Sequence, residues 1–409
     1  MFTLQLDWDR PAKVASHTSE HVLRVRLQPQ ANATSRSLPL RLALALDTSA
    51  SMQGDKLRHA KQACQTILAQ LRDQDQFSLA SFATRLQTHL QAVSGNARQQ
   101  ARSQIDRLTA DGVTRVDLAL DWLQTALPAE SGVARVAILV TDGQPTNSQG
   151  RMLEDTRRLV QHAATLADAG IVLCSVGLGD AANFNTDFLV QLSDTGRGAF
   201  LYADTPNALE PQLRDRLQAC QAIVADRVSL NLEPVPGVTV QGFCQFRPEY
   251  LPLEETHPNQ LSLSHVRADG PTDILIELSL PPLNFGEPLG PRPAIAVACQ
   301  AANLAPVRAE AAIQYTNTYS DAQQVHKDIN DDRLCWEINR YSTEMQRTTD
   351  PKRTGELAAN AYVAATKAGR TDVANQAAQI LDEVERSGQV DAHKTTGFLR
   401  NSRNLGGAA

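Results

Sequence analysis

The sequence predicts a doubly wound, mostly parallel α/β domain inserted in an antiparallel β-sandwich and followed by a C-terminal helical region. Three observations lead there. Between residues 39 and 222, short wholly apolar runs alternate with segments of helical period, the pattern of a parallel sheet covered on both faces. On either side, at 20–28 and again after residue 225, β-like segments are half-polar or broken by Pro and Gly, as in exposed antiparallel strands. Beyond residue 319 the apolar residues recur at helical intervals. The expected division is 1–38 for the first part of the sandwich, 39–222 for the α/β domain and 223–318 for the rest of the sandwich. Residues 319–390 are expected to be helical and 391–409 a flexible tail.

Bulk composition narrows the function classes. A chain of 409 residues is too long for one compact core. With 42% hydrophobic residues, 21% charged residues and a net charge of -6, it reads as a globular chain without the basic stripe that nucleic acid requires. Its apolar runs fall short of a bilayer span, and the start M-F-T-L-Q-L-D-W-D-R is not a secretory signal, so no membrane span and a cytoplasmic location are expected. Cys64, Cys174, Cys220, Cys244, Cys299 and Cys335 are scattered singly with no C-x-x-C pair. They are expected to be free, largely buried thiols in a reducing compartment.

Taken in order, E-H-V-L-R-V-R-L-Q at 20–28 is a half-exposed strand, and A-N-A-T-S-R-S-L-P is a turn-rich linker. Leu42 to Leu46 form an unbroken apolar run, suited to a strand buried on both faces. Asp55 to Leu71 sets Leu57, Ala60, Ala63, Cys64, Ile67, Leu68 and Leu71 on one helical face. A strand at Phe77 to Phe82 and a polar helix at 96–108 follow. The next helix carries Val116, Leu118, Ala119, Trp122, Leu123 and Ala126, and Pro128 ends it. Val136 to Val140 is a second buried strand, running into T-D-G-Q-P-T. A helix from Leu153 to Ala169 stops at Gly170, and the strand Ile171 to Val176 opens on G-L-G-D. A short helix at 186–193, a strand at Ala199 to Tyr202 and a helix from Asn207 to Ala222 complete the domain.

Val228 to Leu232, Val238 to Phe246, Gln260 to His265, Asp273 to Leu280, Ala294 to Ala301 and Arg308 to Tyr315 are then expected as sandwich strands. The strand at 20–28 should pair among them. Val325, Ile329, Leu334, Ile338, Tyr341 and Met345 mark a long amphipathic helix. Asp350-Pro351 caps the next helix, Gly369 closes it, and Thr371 to Gly388 bounds another.

The first buried strand runs straight into Asp47, with hydroxyls at Ser49 and Ser51. Oxygen donors on a short turn suit a hard cation such as Mg²⁺. The same residues also make a good turn and helix cap, and on this stretch alone both readings stand. Two further segments bear on the choice. A-D-G-V-T-R-V-D-L-A-L puts Thr114 just before a helix, and A-I-L-V-T-D-G-Q-P puts Asp142 directly after a buried strand. Parallel strands end at one edge, so Asp47 and Asp142 converge if their strands are neighbours.

Asp47, Ser49 and Ser51, then Thr114 in a G-x-T turn and Asp142 in a T-D-G turn, resemble the metal-ion-dependent adhesion site of von Willebrand factor A domains. The resemblance covers roughly residues 39 to 222, including G-I-V-L-C-S-V-G-L-G and G-R-G-A-F-L-Y-A-D. Two departures are visible: Ala50 stands where the family usually has glycine, and D-G-V-T replaces a more Gly-rich turn. The layout of the whole chain is similar to bacterial A-domain proteins related to inter-alpha-trypsin inhibitor heavy chains.

The resemblance implies that Ser49, Ser51 and Thr114 offer hydroxyl oxygens to Mg²⁺, with Mn²⁺ or Ca²⁺ as alternatives. Asp47 and Asp142 would then act directly or through water. It also implies a protein-binding module without catalytic residues, in which a partner's Asp or Glu completes the metal shell. Some proteins of this kind work beside AAA+ ATPases of the chelatase or MoxR type, or with signalling kinase and phosphatase sets.

Two other classes are weighed against this. A Mg²⁺-dependent phosphoryl-transfer enzyme of the haloacid-dehalogenase type needs an acid two residues after Asp47, where Ser49 stands. G-x-x-x-x-G-K-[ST] is missing, and G-L-G-D lacks the third glycine of a dinucleotide fingerprint. His59 and His162 are isolated on helices. An architectural protein that oligomerises through the helix at 321–348 is the second alternative. A partner retained equally in EDTA would favour it.

Overall fold

The computed structural model describes residues 2–30, 37–94, 98–301 and 304–406. The expected linker at 31–39 lies largely outside the described residues, as do residues 407–409 of the expected tail. The chain divides into two compact units. One is Met1–Ser35, Arg227–Asp391 and Asn401–Ala409, and the other is Arg36–Asp226 with Ala392–Arg400. Three strands come first: β1 (Phe2–Trp8), β2 (Ala12–Val14) and β3 (Ser19–Pro29).

The α/β unit follows as β4 (Leu40–Asp47), α1 (Asp55–Gln70), β5 (Gln76–Phe82), β6 (Leu86–Val93), α2 (Arg98–Asp106), α3 (Val116–Ala126) and β7 (Ala134–Thr141). It continues with α4 (Arg157–Asp168), β8 (Val172–Leu178), α5 (Thr186–Thr195), β9 (Arg197–Ala203) and α6 (Pro206–Gln221). Its sheet runs β6-β5-β4-β7-β8-β9. All neighbours are parallel except β5 and β6. The alternation of apolar runs and helical faces makes this sheet because each central strand must be apolar on both sides. In β4, Leu42, Leu44 and Leu46 join one core with residues of α1 and α6, while Ala43 and Ala45 join the other with residues of α3, α4 and α5. The antiparallel edge strand β6, with most of its residues exposed or half-buried, was not anticipated. The helix expected from Leu153 begins only at Arg157, because Asp155 accepts from the Arg157 backbone N–H (3.0 Å) and holds a turn there.

The other unit continues with β10 (Ile223–Pro234), β11 (Thr239–Arg247), β12 (Leu251–Pro252), β13 (Glu255–His257), β14 (Gln260–Arg267), β15 (Thr272–Leu280), β16 (Gly290–Ala301) and β17 (Leu304–Thr316). Its two sheets run β1-β3-β15-β11-β12 and β13-β14-β10-β16-β17-β2. The early strand β3 pairs antiparallel with β15, Val25 opposite Ile274, so the α/β domain is inserted between partners of one sheet. Helices α7 (Tyr319–Ala322), α8 (Lys327–Arg347), α9 (Pro351–Lys367), α10 (Thr371–Ser387) and α11 (Ala392–Arg403) follow. Cys335 and Trp336 of α8 pack with Val22, Cys244, Phe246 and Leu275.

The flexible tail expected at 391–409 is corrected by α11, which buries Phe398 and Leu399. The Thr396 and Thr186 hydroxyls meet at 2.9 Å, and His393 Nδ1 lies 2.8 Å from Tyr202 Oη. A short apolar pair on an otherwise polar segment carried the burial, too brief a signal to register as periodicity.

Candidate metal centre

Within its sheet the α/β unit has the order 3-2-1-4-5-6, counting strands from β4. The winding reverses between the first and fourth strands, β4 and β7, which opens a crevice at their carboxyl ends. These two strands are parallel neighbours, Leu46 opposite Val140. Asp47 is therefore the last residue of β4, and Asp142 is the first residue past β7 at the same edge.

Both carboxylates are fully buried, and neighbouring donors fix them. Asp47 Oδ1 accepts from the Ser49 backbone N–H (2.8 Å), and Oδ2 accepts from the Thr141 hydroxyl (2.6 Å). The Ser49 and Ser51 hydroxyl oxygens are 3.1 Å apart, and Ser51 donates to Asp142 Oδ1 (2.7 Å). The other Asp142 oxygen accepts from Lys56 Nζ at 2.5 Å. A continuous polar chain thus runs from Thr141 through Asp47, Ser49, Ser51 and Asp142 to the first turn of α1.

Thr114 arrives from a separate loop, which backbone bonds fasten to the β4 loop: Asp111 N–H to Thr48 C=O (2.8 Å) and Ala50 N–H to Gly112 C=O (3.1 Å). Gly112 is needed there, since φ is +88° and a Cβ would run into the Thr84 hydroxyl. The Thr114 carbonyl accepts from Thr146 N–H (2.8 Å), which ties the same loop to the segment after Asp142. The bare face of Gly143 locates the convergence: a Cβ built there would lie 3.3 Å from Thr114 Oγ1 and 3.8 Å from Ser51 Oγ. All five residues singled out in the sequence, Asp47, Ser49, Ser51, Thr114 and Asp142, therefore gather at one rim from three loops.

The electrostatics are those of a buried acidic pair under partial compensation. Burial pushes the Asp47 carboxyl up to about 6 against the hydrogen bonds from Thr141 and Ser49, and the nearby Asp142 charge adds to the rise. Ala50, which stood out as a departure, leads a short 3-10 turn with its side chain exposed and outside the left-handed region, so its methyl does not narrow the loop. Two residues were missed in the sequence. Thr141 was read only as part of the T-D-G turn, and the hydroxyl closing the apolar run was the signal for its bond to Asp47. Lys56 looked like an ordinary helix-surface lysine, and nothing local linked it to Asp142.

The donors are all oxygen, two carboxylates and three hydroxyls, which fits a small hard cation rather than a thiophilic metal. Among the described residues no group of three or more His, Cys, Asp or Glu is placed to hold a metal, so the hydroxyls are essential to this candidate.

A profile of the von Willebrand factor type A domain matches residues 42–216, the span that contains all five residues. This part of the chain is a von Willebrand factor type A domain. Such domains typically mediate protein–protein interaction and commonly hold a divalent cation.

Similar proteins include an uncharacterised protein of Synechocystis, 28% identical over 63% of this chain and 60% of that one. The uncharacterised protein YfbK of Escherichia coli is 25% identical over 58% of this chain and 41% of its own length. Human inter-alpha-trypsin inhibitor heavy chain H1 is 26% identical over 40% of this chain, and only 19% of that protein is covered. The chain thus spans less than two thirds of the length of each of these relatives. In fold, the A-domain chain is similar to a von Willebrand factor type A protein from Catenulispora acidiphila, with a TM-score of 0.78 at 16% identity over 98% of this chain and 96% of that one. It is also similar to the ArnB paralog VWA2 from Sulfolobus acidocaldarius, with a TM-score of 0.62 at 15% identity over 100% and 99%.

Proposed function

We propose that this chain is a non-enzymatic, metal-dependent protein-binding module whose A domain uses a bound divalent cation to take an Asp or Glu from a partner protein. The observation that carries the reading is the meeting of Asp47, Ser49, Ser51, Thr114 and Asp142 at the β4–β7 crevice. Ser49, Ser51 and Thr114 would hold Mg²⁺ through neutral hydroxyl oxygens, while Asp47 and Asp142 supply charge directly or through water. Mn²⁺ and Ca²⁺ take the same donor type. The cation supplies an electron-poor centre with one position left for an external carboxylate. Ser49, where a phosphoryl-transfer enzyme would carry its acid, counts against that chemistry. The six cysteines form no disulfide with one another, which is in keeping with the cytoplasm, where the partner would be a protein such as an AAA+ ATPase or a signalling kinase or phosphatase.

The test is capture of a partner by the full chain with Mg²⁺ or with EDTA, and equal retention in both would reject the proposal. Thr114→Ala separates the two halves of the mechanism. One neutral hydroxyl among several donors contributes little to holding the ion, so apparent Mn²⁺ affinity should change less than about threefold. Metal-dependent capture should fall about tenfold or more, the loss expected for a hydrogen-bonding group beside a charged contact. Equal losses of both would contradict the assigned role.

A further inference from the structure

Lys56 is the one cation within salt-bridge distance of either buried carboxylate among the described residues, and nothing in its sequence context marks it as part of the site. Two contacts fix it. Its Nζ bonds the Asp142 oxygen that Ser51 leaves free. Its stem lies over Gly179, just after β8, where a Cβ would come within 3.3 Å of Lys56 Cε and 3.7 Å of Nζ. The lysine therefore reaches from the first turn of α1 to the ends of β7 and β8, with its side chain only 24% exposed.

We infer that Lys56 is a positioning and charge-setting residue of the A-domain site, which weakens cation binding and in exchange makes the loaded site take an anion. The inference rests on the metal-binding reading above and deepens it. The charge count gives the reason. Asp47 and Asp142 contribute two negative charges when ionised, and Lys56 returns one positive charge. A divalent ion then leaves the cluster at net +1, and a single carboxylate from outside brings it to neutrality. Without Lys56 the same ion would already be neutralised by the protein, held more tightly and less attractive to an external carboxylate. A lysine one hydrogen bond from a ligand carboxylate stands roughly 5 Å from any ion on that carboxylate, and like-charge repulsion at that range costs on the order of tenfold in affinity even at water-like screening. The hydrogen bond also holds Asp142 in one rotamer, with Oδ1 turned to Ser51.

The experiment is a Mn²⁺ titration of the full chain as wild type, Lys56→Met and Lys56→Arg, read by thermal shift and by the water-proton relaxivity of bound Mn²⁺. Acetate is then added to the loaded protein as the anion probe. Lys56→Met should bind Mn²⁺ on the order of tenfold more tightly and need several-fold more acetate for half-saturation. Lys56→Arg keeps the charge and should stay within about threefold of wild type in both. Circular dichroism of each metal-free variant controls for folding, and Lys56→Arg serves alone if the Met variant fails to fold, because a tightening there contradicts the charge argument. Unchanged or weaker Mn²⁺ binding in Lys56→Met overturns the inference while leaving the metal site standing. No saturable Mn²⁺ binding in the wild type would instead overturn the metal reading, and this inference with it.

Discussion

Replacing Asp47 with asparagine is expected to erase the metal-linked rise in melting temperature while the fold persists. A cation present at one hundred times its dissociation constant stabilises the folded chain by about 2.7 kcal/mol. For a domain of this size that corresponds to a shift of about 5–10 °C. Asp47 carries this effect because it is the buried charge at the end of β4, and burial, with the nearby Asp142 charge, pushes its carboxyl up to about 6 against its hydrogen bonds, so a free carboxylate there is under-compensated. Asparagine keeps a carbonyl oxygen for the Ser49 N–H but removes the charge. The metal-free variant should melt within a few degrees of the metal-free wild type. Asp47→Ala should lose the metal effect as completely and also leave the Ser49 N–H and the Thr141 hydroxyl without their acceptor, at a cost of about 1–3 kcal/mol each. Differential scanning fluorimetry over a Mg²⁺ or Mn²⁺ series reads all three proteins. An undiminished shift in Asp47→Asn would remove the carboxylate, and with it the proposed ion, from this site.

The sequence made this rim legible because central parallel strands must be apolar throughout. Leu42 to Leu46 and Val136 to Val140 announced themselves, and the first polar residue after each had to mark the sheet edge. Which strands are neighbours could not be read the same way, since it depends on topology, and the contact between Ser51 and Asp142 spans 91 positions. Lys56 stayed hidden for that reason, its partner lying 86 residues away. The edge strand β6 escaped because a strand covered on one side keeps polar residues such as Gln87, Thr88, His89 and Gln91, which blur the apolar signal. By contrast, β1 was readable and overlooked, for Phe2, Leu4, Leu6 and Trp8 alternate over seven residues.

A large stability loss that involves no metal is expected away from that rim, in the sandwich unit, at Asp273→Ala. Asp273 is fully buried in the middle of a sheet rung, opposite Arg26 on β3 and Arg247 on β11. Its two oxygens accept from Arg26 Nε and Nη2 (2.7 Å each), and Oδ2 also accepts from Arg247 (2.8 Å). Arg247 in turn binds Asp332 of α8 at 2.5 and 2.7 Å, so the carboxylate is the shared anchor between two sheet arginines and a helix. Burial pushes the Asp332 carboxyl upward against the pull of Arg247, the mark of a desolvated cluster rather than a solvated surface pair. Removing Asp273 takes both carboxylate contacts from Arg26 and leaves Arg247 with Asp332 alone, and breaking such a cluster costs about 3–5 kcal/mol. The exposed pair Arg386–Asp382, with side chains 76% and 64% exposed, provides the contrast, and Asp382→Ala should cost less than about 1 kcal/mol. Urea unfolding followed by tryptophan fluorescence reads the difference, because Trp8 and Trp336 report on this unit while Trp122 reports on the A domain. A loss below about 1 kcal/mol at Asp273 would mean that water or neighbouring carboxylates re-solvate the two arginines, and that α8 is held to its sheet by apolar packing around Trp336 instead.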